Sequence, residues 1–321
     1  MNFTQHKLII ITPVYEDLEA SGHLFKILAT QFESDIFVVA VDDGSIKHPL
    51  EVTTLKNAKI DGVILKLYRN VGHQRAIAIG LGYASEYIQP NQRVIVMDSD
   101  GEDLPSTIPY LLETLESNKI DVAVAKRKSR VETIRFKVFY FIYKRFFNLM
   151  TGRFISFGNF MALKPDAIKR LVVMQELSIH VAAAVLASKL RTETCLLDRG
   201  ARYAGESKMN FVGLALHGFK ALMVFAEDVL VRIGIGCALI AGLSVIGGIA
   251  AVTLKLIGVS TPGWFSVALG ILVLIFLQTG TLALMTLMLT GIIRSDNVTK
   301  PISYQDFIKE VIETNQSKGK L

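Results

Sequence analysis

Two long stretches near the C-terminus carry no charged residue, Ile233–Leu254 and Leu256–Ile293, and only Lys255 separates them. A helix rises about 1.5 Å per residue, so each run is long enough to cross the ~30 Å of hydrocarbon in a bilayer. Thr261, Pro262 and Gly263 mark a turn inside the second run, and Trp264 is placed like an interfacial aromatic. The pattern predicts a transmembrane hairpin over residues 229–293; two buried helices of a large soluble core are the competing reading. Lys208, Lys220 and Arg232 precede the hairpin and Arg294 and Lys300 follow it, while the turn has only Lys255 nearby. The positive-inside rule then predicts a multi-pass protein of the inner (plasma) membrane, with both termini and the large N-terminal region in the cytoplasm. Gly242, Gly247 and Gly248 suit close packing between membrane helices and leave a homo-oligomer open.

The rest of the composition narrows the class. Of 321 residues, 51% are hydrophobic, which is high for a protein without a lipid-facing part. Cys195 and Cys237 form no ligand-spaced pair, so neither a disulfide framework nor a zinc site is supported. The N-terminal apolar run stops at Pro13, too short for a signal-peptide core, and reads as a first strand. The formal net charge of +6 comes with no nucleic-acid motif, which favours an anionic ligand or a membrane surface over nucleic acid.

Residues 1–210 alternate two periodicities. "KLIIITPVY", "DIFVVAVDDGS", "VILKLYR" and "RVIVMDSD" are short β-rich runs, and "EASGHLFKILATQF" and "GHQRAIAIGLGYASEYI" between them carry helical spacing. Alternation of this kind predicts an α/β domain with a mostly parallel sheet covered on both faces. Ligands of such sheets gather beyond the carboxyl ends of the strands, which places "TPVYED", "DDGS", "RNVGHQ" and "DSDGED" along one rim. Asp98 and Asp100, two positions apart at a strand end, can face one point with Ser99 turned away. Two carboxylates that close repel unless a cation lies between them, and hard oxygen ligands suit Mg²⁺ or Mn²⁺ bridging to a diphosphate. His73 lies near this rim, but a lone histidine in a turn reads as a surface residue.

In combination these elements resemble glycosyltransferase family 2, whose members use nucleotide sugars and have the GT-A fold. The Pro-x-Tyr-Asn-Glu element of that family is met by Pro13, Tyr15, Glu16 and Asp17, with Glu16 where Asn is usual. Asp42, Asp43 and Ser45 meet its Asp-Asp-x-Ser element, Asn70 and Gly72 its Asn-x-Gly element, and Asp98 and Asp100 its metal motif. A narrower likeness, to the polyisoprenyl-phosphate glycosyltransferases, covers nearly the whole chain. Glu102 stands where that group has a Gln able to complete the metal shell. Arg127 and Arg130 match its Arg-x-x-Arg element, and Arg202, Tyr203, Gly205, Ser207 and Lys208 match its loop before the membrane segments. Two C-terminal spans are a feature of its bacterial glucosyltransferase branch.

The resemblance implies a GT-A domain over 1–210, an amphipathic interfacial helix over 211–228, the hairpin over 229–293 and a cytoplasmic tail over 294–321. It implies a metal-dependent, inverting hexosyltransferase that moves a sugar, with glucose from UDP-glucose as the first expectation, to undecaprenyl or dolichyl phosphate. Asp98, Asp100 and Glu102 would hold Mg²⁺ or Mn²⁺. Pro13, Tyr15, Asp17, Asp42, Asp43, Asn70 and Asp98 would bind the donor, with Asp42 alternatively capping its own turn. Asp100, Arg202, Lys208, Arg127 and Arg130 would act on the two phosphates. One departure stands out: the group's Gly-Asp-Phe-Arg-Leu reads "GNFMAL" here, with Asn159 for Asp and Met161 for Arg. A membrane polysaccharide synthase of the same fold and a non-catalytic nucleotide-binding scaffold remain alternatives. The Phe-rich segment "TIRFKVFYFIYKRFFNLMTG" suits lying on a bilayer or packing within the protein.

Overall fold

The computed structural model describes residues 2–117, 119–127, 134–204, 211–259, 263–296 and 303–314. Chain order is β1 (Leu8–Val14), α1 (Leu18–Phe32), β2 (Ile36–Asp42), α2 (Val52–Asn57), β3 (Asp61–Leu67), α3 (His73–Tyr87), β4 (Arg93–Val96), α4 (Ile108–Glu116) and β5 (Val122–Arg127). Then follow α5 (Ile134–Thr151), β6 (Met161–Leu163), α6 (Pro165–Val172), α7 (Val181–Ala187), β7 (Thr192–Leu197), α8 (Phe211–Met223), α9 (Ala226–Leu256), α10 (Trp264–Asp296) and β8 (Ile308–Glu313). The chain divides into two units: residues 1–141, 155–224 and 301–321, and residues 142–154 and 225–300.

The first unit is built on one eight-stranded sheet in the order β7-β5-β6-β4-β1-β2-β3-β8. The pairs β4–β1, β1–β2, β2–β3 and β5–β7 are parallel, and β6 and β8 are the two antiparallel members. Every residue of β1 and β2 is buried, because these strands, rich in Ile and Val, have helices over both faces. One core lies on the α3, α6 and α7 side, around Ile11, Val39, Ile77 and Leu81. The other lies under α1, α2 and α4, around Ile10, Leu24, Val38 and Leu111. This is the mostly parallel α/β architecture expected from the alternating pattern, and it is GT-A-like, as the resemblance implies. Met161, where the polyisoprenyl group has Arg, is fully buried in β6.

The sequence reading gave the tail no element, yet residues 308–313 form β8 along the free edge of β3. Thr314 and Gly62 exchange hydrogen bonds at one end, and Tyr68 N–H donates to Phe307 O at 3.0 Å at the other. The Tyr304 ring lies on Gly82 of α3, which leaves no room for a side chain there.

The second unit consists of α9 and α10, packed along their lengths, with the C-terminal part of α5. Phe147 is buried edge-on against Phe225, and Arg232 donates to Leu149 O at 3.0 Å. Both long helices have a mean hydropathy of 2.3, but only 11% and 0% of their most apolar windows are buried. Core helices of a soluble domain would be mostly buried. Leu239, Leu243, Ile246, Leu274, Leu287 and Met288 instead face outward, as candidate membrane spans require.

Candidate functional site

The carboxyl ends of β1, β2, β3 and β4 form the rim. At β2, Asp42 accepts from Ser45 N–H at 3.0 Å and from Leu50 N–H at 2.9 Å, closing its own turn as an Asx cap. Asp43, 2% exposed, accepts from Val71 N–H at 2.7 Å and Gly72 N–H at 3.0 Å, which fixes the turn between β3 and α3. Burial raises the Asp43 pKa against the pull of those two N–H groups. Gly44 lies between these turns at φ +71, where a Cβ would stand 2.5 Å from the carbonyl carbon of Arg69. Only glycine lets the two turns close on each other.

At β1, Pro13 is buried and Tyr15 is exposed, while Asp17 stands at the start of α1. Glu16, in the left-handed region at φ +48, aims its carboxylate at three consecutive N–H groups, of Ile46, Lys47 and His48, at 2.7–3.1 Å. Those donors hold its pKa below the usual carboxylate range. A carboxylate in place of the family's Asn thus anchors the loop after Asp43. Asn70 is exposed on the turn that Asp43 holds.

The acidic turn follows β4. Ser99 is buried, and Asp98 and Asp100 flank it, each partly exposed. Asp98 N–H donates to Asp103 at 3.0 Å, and Glu102 N–H to Asp100 Oδ1 at 3.0 Å. Gly101 adopts φ +92 beneath the Tyr203 ring, 2.6 Å from where a Cβ would stand. Burial, and then the charge of Asp98, raises the Asp100 pKa, although Arg202 and Arg199 pull it down. Arg202 bonds Asp100 Oδ2 at 2.9 Å and Glu102 Oε1 at 3.2 Å, and Arg199 pairs with Glu102 Oε2.

His73 opens α3 with Nε2 3.2 Å from Asp98 Oδ1 and 3.1 Å from the Asn159 amide. His73 is exposed, as its reading as a surface residue has it, and these contacts also tie it to the rim. Desolvation would lower its pKa, but Asp98 and the neighbouring carboxylates outweigh it and raise it. With its proton on Nε2, the imidazole can donate to both Asp98 and the Asn159 carbonyl oxygen once the amide is turned over.

The structure thus brings Asp98, Asp100, Glu102 and Arg202 together and adds His73, Asn159 and Arg199. Arg127 ends β5; Arg130 and Lys208 lie outside the described residues. The sequence reading passed over Arg199, whose signal was its Arg-x-x-Arg spacing to Arg202 directly after β7. Asp98 and Asp100 fit a hard divalent cation: their donors are carboxylate oxygens, and their mutual repulsion, visible on Asp100, is what such an ion relieves. Among the described residues, no three His, Cys, Asp or Glu side chains converge as a ready-made metal site, and Glu102 is turned to the two arginines.

A family model described as glycosyl transferase family 2 matches residues 9–171, more than half of the chain. An uncharacterized glycosyltransferase of Bacillus subtilis, YkoT, is 25% identical over 285 residues, covering 84% of this chain and 83% of that protein. Dodecaprenyl-phosphate galacturonate synthase of Rhizobium johnstonii is 28% identical over 130 residues, 39% of this chain and 37% of that protein. Among solved structures, glucosyl-3-phosphoglycerate synthase of Mycobacterium tuberculosis, crystallised with Mn²⁺, UDP-glucose and phosphoglyceric acid, has a TM-score of 0.50 at 12% identity. That match covers 70% of this chain and 80% of the other, and it bears on the fold alone.

Proposed function

The chain belongs to glycosyltransferase family 2, and from that premise we propose that it moves a hexosyl group from a nucleotide sugar to polyprenyl phosphate at a membrane surface. The observation that carries this reading is the union of the acidic turn after β4 with Arg199–Tyr203, a segment that leads toward α8 and the two apolar helices. A site for a diphosphate thereby lies close in sequence to the apolar helices, as transfer to a lipid acceptor would need. Two relatives support it: the Rhizobium protein is named for a polyprenyl-phosphate sugar, and the mycobacterial enzyme of similar fold was crystallised with Mn²⁺ and UDP-glucose.

In this mechanism an oxygen of the acceptor phosphate attacks the anomeric carbon as the bond to the nucleoside diphosphate breaks, which gives an inverted, lipid-phosphate-linked sugar. The acceptor is already ionised near neutral pH, so Asn159 in place of Asp costs no required base. Asp98 and Asp100 would hold Mg²⁺ or Mn²⁺, which supplies Lewis-acid neutralisation of the leaving diphosphate. Tyr15, Asp17 and Asn70 line the donor side of the rim, with Pro13 in the strand behind them. Asp42 and Asp43 act there through the turns they close. Arg202, Arg127, Arg130 and Lys208 take the two phosphates, since a guanidinium grips phosphate in two-pronged fashion. Glucose from UDP-glucose is the donor we assign first.

Topology follows from the same reading. The two spans form a hairpin in the plasma membrane, and the pairing of β8 with β3 supports keeping the segments before and after the hairpin in one compartment, the cytoplasm. The test is to incubate membranes containing the full chain with labelled UDP- and GDP-sugars, with and without polyprenyl phosphate. Label should enter the lipid phase only with the acceptor. Label in a water-soluble polymer, or none in lipid from any donor, would refute the assignment.

A further inference from the structure

The acidic turn after β4 already has its counter-charges within the chain. Asp100 Oδ1 accepts from Glu102 N–H at 3.0 Å, and its Oδ2 accepts from Arg202 at 2.9 Å. Both oxygens of Glu102 are engaged as well, Oε1 by Arg202 and Oε2 by Arg199. These are not loosely held surface pairs. Tyr203 N–H donates to Asp100 O at 2.9 Å and Gly200 N–H to Glu102 O at 3.0 Å, so the backbone of 200–203 is laid along that of 100–102. The Tyr203 ring, held edge-on by His23 at 4.5 Å, closes over Gly101. The Glu102 and Asp100 side chains are only 18% and 14% exposed, so solvent screens these pairs incompletely.

We infer that Arg199 and Arg202 are tethered counter-cations of the metal-holding turn, which a divalent ion must displace and which a nucleoside diphosphate draws away. The inference rests on Asp98 and Asp100 as the cation-holding pair. Its physical ground is competition for a fixed set of oxygens. An ion reaching Asp100 or Glu102 alone breaks a charge-assisted bond and leaves a guanidinium unpaired beside it, which is costly. When a diphosphate arrives too, the released guanidiniums re-pair with phosphate oxygens and the ion takes the carboxylates. Cation and diphosphate then bind with positive coupling, and by linkage each strengthens the other by the same factor. Before this exchange Arg199 touches Glu102, and after it the diphosphate.

The test is Mn²⁺ binding followed by the electron paramagnetic resonance of free Mn²⁺, using the full chain in detergent, with UDP or GDP added in a second series. Arg199→Gln should bind Mn²⁺ alone about fivefold or more tightly than the unaltered protein and should gain less from added nucleotide. Arg199→Lys, which keeps the charge but loses the fork, should fall between and guards against a fold defect in the first variant. Unchanged or weaker Mn²⁺ binding in both variants, with Asp100→Asn still abolishing it, overturns the inference and leaves the metal reading standing. Mn²⁺ binding that Asp100→Asn leaves intact, or none in any protein with nucleotide present, overturns both.

Discussion

Asp100 is held from three directions: its backbone by Tyr203, one oxygen by Glu102 N–H and the other by Arg202. Asp100→Asn keeps that shape and removes the charge, so turnover should fall by roughly 10²- to 10³-fold with little change in Tm, read from labelled product and thermal unfolding. A second residue ties stability to pH. His180, 4% exposed, caps α7 by accepting from Ala183 N–H on Nδ1, and its Nε2 lies 3.1 Å from Nε2 of His217 on α8. Burial, aided by His217, pushes its pKa down from 6.5 to about 3. Above pH 6.5 neither folded nor unfolded His180 carries the proton, so stability is whole. As pH falls from 6.5 toward 3 the unfolded chain protonates first, and stability drops by up to about 1.4 kcal/mol per pH unit. His180→Asn keeps a capping side chain and should flatten the fall of Tm between pH 6.5 and 4.5. At this scale the sequence was legible where a residue type has few other uses. Acids directly behind a buried strand are such a case. His73 and Arg199 were not legible in that way, because their partners lie 25 and 97 residues distant, at Asp98 and Glu102.

Elements show why periodicity revealed the sheet but not its last member. β1 to β4 are runs of Ile, Val and Leu bounded by turn residues, a pattern that survives without knowledge of partners. β8, "IKEVIE", has lysine and glutamate on an exposed edge and resembles a polar tail until the open side of β3 is seen beside it. Its anchor is the preceding turn, where Tyr304 covers Gly82 and Arg75 stacks 5.6 Å over Phe307. Tyr304→Ala should cost about 1–3 kcal/mol and raise hydrogen exchange in β8 and along β3. Unchanged protection would mean that the strand holds by its ladder alone. α5 was legible only in part: Phe147 is buried, as packing within the protein predicts, while Phe141, Ile142, Phe146 and Leu149 are exposed.

For the whole molecule, the amount of apolar sequence announced the two long helices, whose exposed apolar surface makes them candidate membrane spans. What composition did not reveal is that the sheet-bearing unit is closed by residues from both sides of the hairpin. Ending the chain at residue 225 therefore removes β8 as well as the anchor. Such a fragment should unfold at lower temperature and self-associate through β3. Replacing 226–302 by a flexible Gly/Ser linker of about 20 residues should give a soluble protein that keeps the sheet, and matching Tm values for the two forms would count against any role for β8.

Residues 308–313 leave the ribosome only after α9 and α10 have been made. Until they do, β3 stands uncovered, and both apolar helices have been made before its partner exists. If the two apolar helices span a bilayer, a nascent chain that threads only one of them would leave β8 across the bilayer from its mate. On the proposed topology, correct insertion would then be a condition for pairing β8 with β3.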